Sequence, residues 1–168
     1  EGSSMGLCEN DIVTKRALCY GMMLPSGNDA ANQTAVMLAE NTDNFAVMMN
    51  ERASEIGMKN TNFVTPSGLH DDNHYSTAYD MALLAREALQ NDLFREVCST
   101  QRAKIRFGNP PYERWLVNTN KLLHLYDYCI GIKTGFTDEA GRCLVSAAEK
   151  DGVTLICVTL NAPNDWND

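Results

Sequence analysis

Cys129-Ile130-Gly131-Ile132-Lys133-Thr134-Gly135-Phe136-Thr137 is the stretch on which the reading of this chain turns. It opens as an apolar, β-branched run between glycines, the pattern of a buried strand. It then sets a lysine, a hydroxyl and a glycine in succession where that strand is expected to end. An unpaired ammonium is costly to bury, so Lys133 needs either solvent or a partner. A lone Lys-Thr-Gly is most simply a strand end and a turn. It gains chemical meaning only if a second motif lies upstream, in a loop before a helix.

Working outward, two more strands follow. Residues 141–149 alternate Leu144, Ser146 and Ala148 against Cys143, Val145 and Ala147, and 153–160 are nearly all apolar. Asp151-Gly152 supplies a tight turn between them. Upstream, residues 104–117 read as a hairpin with a longer loop across Gly108-Asn109-Pro110-Pro111. Before them the period changes to that of helices. One is expected over about 14–23, and Asn28 or Asp29 is placed to cap a second through Glu40 with Ala31, Ala35, Leu38 and Ala39 on its inner face. A third turns Ala46, Met49, Ala53 and Ile56 inward and stops at Gly57. The pairs Met22-Met23 and Met48-Met49 read as core filler. Thr77 and Asp80 form a capping box for a fourth helix with Met81, Leu84, Ala85, Ala88 and Leu89 inward. Helices first and an antiparallel sheet last make an α+β fold.

Composition narrows the function. The 168 residues suit one domain, and with 44% hydrophobic and 21% charged residues they are ordinary for a globular protein. A net charge of −8 argues against nucleic acid as partner. No apolar run reaches membrane-spanning length. Six cysteines form no Cys-x-x-Cys pair, and His70, His74 and His124 lie far from them at metal-ligand spacing, which disfavours zinc. Cys19, Cys129, Cys143 and Cys157 sit in apolar patterns as small hydrophobes, so free thiols are favoured over a disulfide framework. His70, Asp71, Asp72 and His74 fall in a polar loop over 59–75, where Asx turns in solvent are a better reading than a metal site.

The second motif exists. Ser26-Gly27-Asn28 lies between two expected helices, where a hydroxyl and an amide can be displayed at a helix N-terminus. Ser-x-Asn and Lys-Thr-Gly are two of the three elements of penicillin-recognising serine acyltransferases. Each is weak alone, but together and in this order they are strong. With Gly21 to Ala31, Phe63-Val64-Thr65-Pro66-Ser67-Gly68-Leu69, His74-Tyr75-Ser76-Thr77-Ala78 and Asn118-Thr119-Asn120-Lys121-Leu122-Leu123, nearly the whole chain resembles the catalytic domain of the D-alanyl-D-alanine carboxypeptidases. These are low-molecular-mass penicillin-binding proteins, similar in fold to serine β-lactamases, with a helical region packed on an antiparallel sheet.

The resemblance implies cleavage of the terminal D-Ala from peptidoglycan stem peptides outside the bacterial cytoplasmic membrane, in a secreted or membrane-associated parent. It implies inhibition by β-lactams and no metal or cofactor. Lys133 would meet the substrate's terminal carboxylate as a compact ammonium, and Thr134 would offer it a hydroxyl. Gly135 would leave room for a peptide along the strand, and the Phe136 N–H would be one oxyanion-hole donor. Ser26 would relay a proton to the leaving amine, and Asn28 would hold the substrate backbone or a catalytic lysine.

One element departs from that pattern. None of the serines Ser3, Ser4, Ser26, Ser54, Ser67, Ser76, Ser99 and Ser146 has a lysine three residues on. In the family the nucleophile precedes a Glu-Gly-Ser stretch like the one at Glu1. The expectation is therefore a partial catalytic domain over 1–168, lacking its first strands and nucleophile helix, inactive alone and prone to self-association through an uncovered sheet edge. Two other readings stay open: a relative that binds stem peptides or β-lactams without turnover, and a β-lactamase. For the latter Glu87 and Asn91 have the right mutual spacing, although Glu87 lies off the apolar face of the helix over 77–90 and the match reads as chance. An ordinary α+β domain with accidental tripeptides is disfavoured by the resemblance outside the motifs.

Overall fold

A computed structural model describes residues 2–164. Five helices come first: α1 Lys15–Met23, α2 Asn28–Ala39, α3 Thr42–Glu55, α4 Ala78–Ala88 and α5 Asp92–Ser99. A hairpin of β1 Arg102–Gly108 and β2 Pro111–Val117 and a short helix α6 Leu122–Leu125 lead to β3 Cys129–Thr137, β4 Gly141–Lys150 and β5 Val153–Ala162. The last three strands form one antiparallel sheet in the order β3-β4-β5, which leaves β3 and β5 as its edges. The architecture is the α+β arrangement expected.

Local chemistry sets the boundaries. The side chains of Thr14, Asn41 and Asn91 cap α1, α3 and α5 by accepting from the N–H of Ala17, Asn44 and Phe94 at 3.1, 2.8 and 3.0 Å. Gly57, with φ +87°, ends the turn after α3. Asp151 and Gly152, both with positive φ, close the two-residue turn between β4 and β5.

Several expectations fail in instructive ways. Asp29 does not cap α2. Gly27 is the cap residue, and the Asp29 carboxylate instead accepts from the backbone N–H of Met5, Gly6 and Leu7 and from Ser4 Oγ, tying an extended N-terminal segment to the helix. Leu38 is 57% exposed, and the inward positions of α2 are Ala30 and Ala35. Thr77 accepts from the Asp80 N–H, but the Asp80 carboxylate turns to Asn60 N–H and Thr61 Oγ1 at 2.7 and 2.8 Å, so the box is half made. The β1–β2 connection is tight rather than long, because Gly108 still pairs with Pro111. Met48 is exposed rather than core, and so is Cys157, while Cys98 is fully buried.

Helix α5 went unread in the sequence and carries much of the packing. Val97 lies in a cluster with Leu18, Leu24, Ala30, Phe107 and Leu116, whereas its neighbour Cys98 lies in a second with Ala85, Leu89, Ile132, Val145 and Ala147. One short helix thus joins the two cores. Tyr20 Oη donates to Glu96 at 2.7 Å, Arg16 pairs with Glu96, and Arg95 reaches Glu149 of β4 at 2.9 Å, so polar contacts fix both of its sides. Phe107 and Leu24 are fully buried, each contributing roughly 2 kcal/mol of transfer free energy.

Candidate active site

The turn between α1 and α2 is held from several directions. Leu24, which has no exposed surface, accepts from the Thr119 N–H through its carbonyl at 3.0 Å. The Gly27 N–H donates to Gly21 O at 2.9 Å, and the Asn28 N–H to Ser3 O at 2.8 Å. A Cβ on Gly27 would lie 2.8 Å from Gly21 O and 2.9 Å from Met5 N, so only glycine fits this crossing. Between these anchors Ser26 takes a left-handed φ of 59°, a conformation a serine adopts only where its surroundings impose it.

Lys133 comes to that serine from 107 positions away: its Nζ donates to Ser26 Oγ at 2.7 Å and to the carbonyl of Thr134 at 2.7 Å. Lys-Thr-Gly does not end the strand as expected. It lies within β3, where Lys133, Thr134 and Gly135 pair with Val145, Leu144 and Cys143 of β4. The lysine is therefore held by a sheet ladder, and burial lowers its pKa from 10.5 to about 8. Beside it, Thr134 Oγ1 lies 2.6 Å from Thr119 Oγ1.

A groove of about 570 Å³ runs over these residues, with Ser26, Asn28, Thr119, Lys133, Thr134 and Gly135 in its walls and Phe136 and Arg142 at one end. All six residues read from the motifs are brought together there. The Asn28 amide packs beside Gly2, where a Cβ would come within 2.5 Å of its Nδ2. Gly135 is exposed, and a Cβ there would make only an ordinary 3.6 Å contact with Cys143 Cβ. Two apolar grooves of about 400 and 580 Å³, lined by Phe63, His74 and Met81 and by Phe45, Met48 and Met49, reach Lys133 as well. Lys133 is thus the meeting point of one polar and two apolar spaces.

His74, read as part of a solvated loop, turns inward. Its Nδ1 accepts from the N–H groups of Val64 and Thr65 at 3.0 and 3.2 Å. Burial lowers its pKa, Asp71 partly opposes this, and His70 adds to it, so the ring is held neutral as an acceptor. It shapes the loop whose Ser67, Gly68 and Leu69 form another wall of the polar groove. Thr119 and Arg142 were also unassigned from sequence. Thr119 belongs to the stretch Asn118–Leu123, and nothing in its spacing foretells contact with Thr134. Glu87 pairs with Arg52 on the surface and lines no part of the groove, which removes the deacylating glutamate a β-lactamase would need here. Among the described residues no cluster of His, Cys, Asp or Glu could hold a metal ion, and no helix is long and apolar enough to cross a membrane.

The geometry has counterparts in known proteins. The chain is 37% identical over 161 residues to the D-alanyl-D-alanine carboxypeptidase DacF of Bacillus subtilis, covering 96% of this chain and 41% of that one. It is 36% identical to a D-alanyl-D-alanine carboxypeptidase of Streptomyces, covering 94% of this chain and 58% of the relative. The crystal structure of the Streptomyces K15 DD-transpeptidase superposes with a TM-score of 0.88 at 36% identity, over 95% of this chain and 64% of that chain. A penicillin-binding protein homologue from Mycobacterium tuberculosis gives a TM-score of 0.91 at 33% identity, over 99% of this chain and 65% of that chain. The chain therefore spans about half the length of these two curated relatives. The family described as D-alanyl-D-alanine carboxypeptidase matches residues 1–164, almost all of what the sequence contains. With that match over residues 1–164, this protein belongs to the D-alanyl-D-alanine carboxypeptidase family.

Proposed function

We propose that residues 1–168 form the substrate-binding part of a serine-type D-Ala-D-Ala carboxypeptidase site, working on peptidoglycan stem peptides outside the bacterial cytoplasmic membrane. The observation that carries this reading is the 2.7 Å hydrogen bond from Lys133 Nζ to Ser26 Oγ beside an open strand edge. A stem peptide ending in D-Ala-D-Ala lies along β3 as an added strand, with Gly135 leaving the space its backbone needs. Lys133 and Thr134 receive the terminal carboxylate, the Phe136 N–H faces the scissile carbonyl oxygen, and the Asn28 amide holds the peptide backbone.

In the complete reaction a serine Oγ attacks the carbonyl of the penultimate D-Ala. The C–N bond breaks, the departing amine takes a proton and free D-Ala leaves. Water then attacks the ester and restores the serine. Ser26 is suited to pass that proton, since its Oγ already accepts from an ammonium whose pKa is lowered to about 8, close to the range where proton transfer is efficient. No serine of this sequence is followed by a lysine three residues on, so the activated nucleophile is not among these 168 residues. The activity of residues 1–168 alone is therefore reversible binding of D-Ala-D-Ala peptides and β-lactams, without turnover.

A fluorescent penicillin decides this. Anisotropy is expected to show reversible binding, lost on the order of a hundredfold in Lys133→Ala, the size of removing a charge-assisted hydrogen-bonding partner. Intact-mass spectrometry is expected to show no covalent adduct. A stoichiometric adduct on any serine, or unchanged binding in Lys133→Ala, refutes the reading.

A further inference from the structure

We infer that Thr119 is a positioning residue for carboxylate recognition, aiming the Thr134 hydroxyl hydrogen into the groove. The inference rests on the function proposed above and adds to it a residue that touches no reacting atom. Thr119 Oγ1 and Thr134 Oγ1 are 2.6 Å apart, a short distance even for two hydroxyls. Both are set by rigid supports. The Thr119 N–H is fixed on Leu24 O at 3.0 Å. Its neighbour Asn118, buried, donates to Cys98 O and Thr100 O at 3.3 and 3.0 Å and accepts from the Asn120 N–H at 2.9 Å. On the other side Thr134 lies in the β3–β4 ladder, with its carbonyl held by Lys133 Nζ at 2.7 Å.

A hydroxyl has one hydrogen to give and lone pairs to receive. Between the two hydroxyls alone, either threonine can donate to the other. Once a carboxylate oxygen accepts from Thr134, that hydrogen is committed, and Thr119 must be the donor in the pair. The result is a directed chain, Thr119 to Thr134 to carboxylate, in which each bond polarises the next. Such a chain strengthens with the charge on the acceptor, so it discriminates a C-terminal carboxylate from its neutral amide. Lys133 Nζ, with two of its three hydrogens on Ser26 and the Thr134 carbonyl, has one left for the anion, and the Thr119–Thr134 chain adds a second, directed donor beside it.

The test uses residues 1–168 and two probes, diacetyl-L-Lys-D-Ala-D-Ala and the same peptide with a C-terminal amide, titrated by NMR. Thr119→Val is expected to weaken the acid about tenfold and the amide less than twofold. Thr119→Ser, which keeps the hydroxyl, is expected to stay within about twofold of the parent for both. In a Thr134→Val background, Thr119→Val is expected to have no further effect. Equal weakening of acid and amide, failure of Thr119→Ser to rescue, or an undiminished effect in the Thr134→Val background overturns the inference and leaves the proposed function standing. Parent chain that binds neither peptide overturns both.

Discussion

The two ends of β3 are one strand in the ladder and two different kinds of surface. Toward its start Gly131 is clamped: a Cβ there would sit 2.8 Å from Cys98 Sγ, and the residue has a φ of +141°. Four residues on, Gly135 is exposed, and a Cβ would meet nothing closer than 3.6 Å. The first glycine is required by the chain's own packing against α5. The second is not required by anything inside the molecule, and a side chain omitted without an internal reason points to something outside it. The contrast separates a glycine that the fold dictates from one that only the peptide proposed along β3 accounts for.

The largest effects should fall on that contrast. Gly131→Ala is expected to cost about 3 kcal/mol, since both the left-handed backbone and the overlap with a fully buried sulfur oppose it. In a thermal melt this corresponds to a midpoint roughly 10 °C lower. Gly135→Ala is expected to melt within about 2 °C of the parent yet bind a D-Ala-D-Ala peptide about tenfold more weakly. If Gly135→Ala proves the destabilising one, the two halves of the strand have been assigned the wrong way round.

A smaller effect follows from Lys133. Its pKa of about 8 in the fold lies below the 10.5 of an ordinary lysine. Between these values the unfolded chain binds more protons than the folded one, so stability rises with pH across the window and the cost of holding the buried ammonium is greatest below it. Binding runs the other way. Affinity for a carboxylate-ended peptide is expected to fall several-fold from pH 7.5 to 9.5 as the ammonium is lost, while Lys133→Arg flattens the profile because guanidinium does not titrate there. A parent profile flat to pH 10 contradicts the assignment of Lys133 to the anion.

The smallest expected effect compares the two edges of the sheet. β3 presents a polar groove, whereas β5 exposes Val153 (59%) and Leu155 (70%) with Cys157 on one face beside an unpaired strand edge. Such surfaces recruit other chains. Sedimentation velocity is expected to show concentration-dependent association that Leu155→Lys weakens about fivefold without changing peptide affinity. A monomer at every concentration removes β5 from consideration as a contact surface.

Where sequence and structure agree, the information was local. The limits of α1, the stop at Gly57 and the Asp151-Gly152 turn each follow from one or two residues. The polar site was legible because both motifs carry residue types that a buried core does not favour. Helix α5 is hard to read in the sequence although Asn91 and the pattern Leu93, Phe94, Val97, Cys98 announce it, because eight residues give the period little room to repeat. Asp29 was misassigned for a different reason. A carboxylate at the start of a helix suits a cap, and nothing local reveals a backbone segment from residues 5–7 arriving to claim it. His74, Thr119 and Arg142 depend in the same way on partners or groove walls that only tertiary structure brings near.

The Asp29 cage has a practical consequence for handling this protein. By holding residues 5–7 against α2, it brings Gly2 and Ser3 into the wall of the polar groove, next to Asn28. Freeing that segment, as Asp29→Ala would, therefore loosens one wall of the groove together with the segment itself. Labels for measuring affinity belong on an exposed side chain that lines none of these grooves, such as Glu51 of α3.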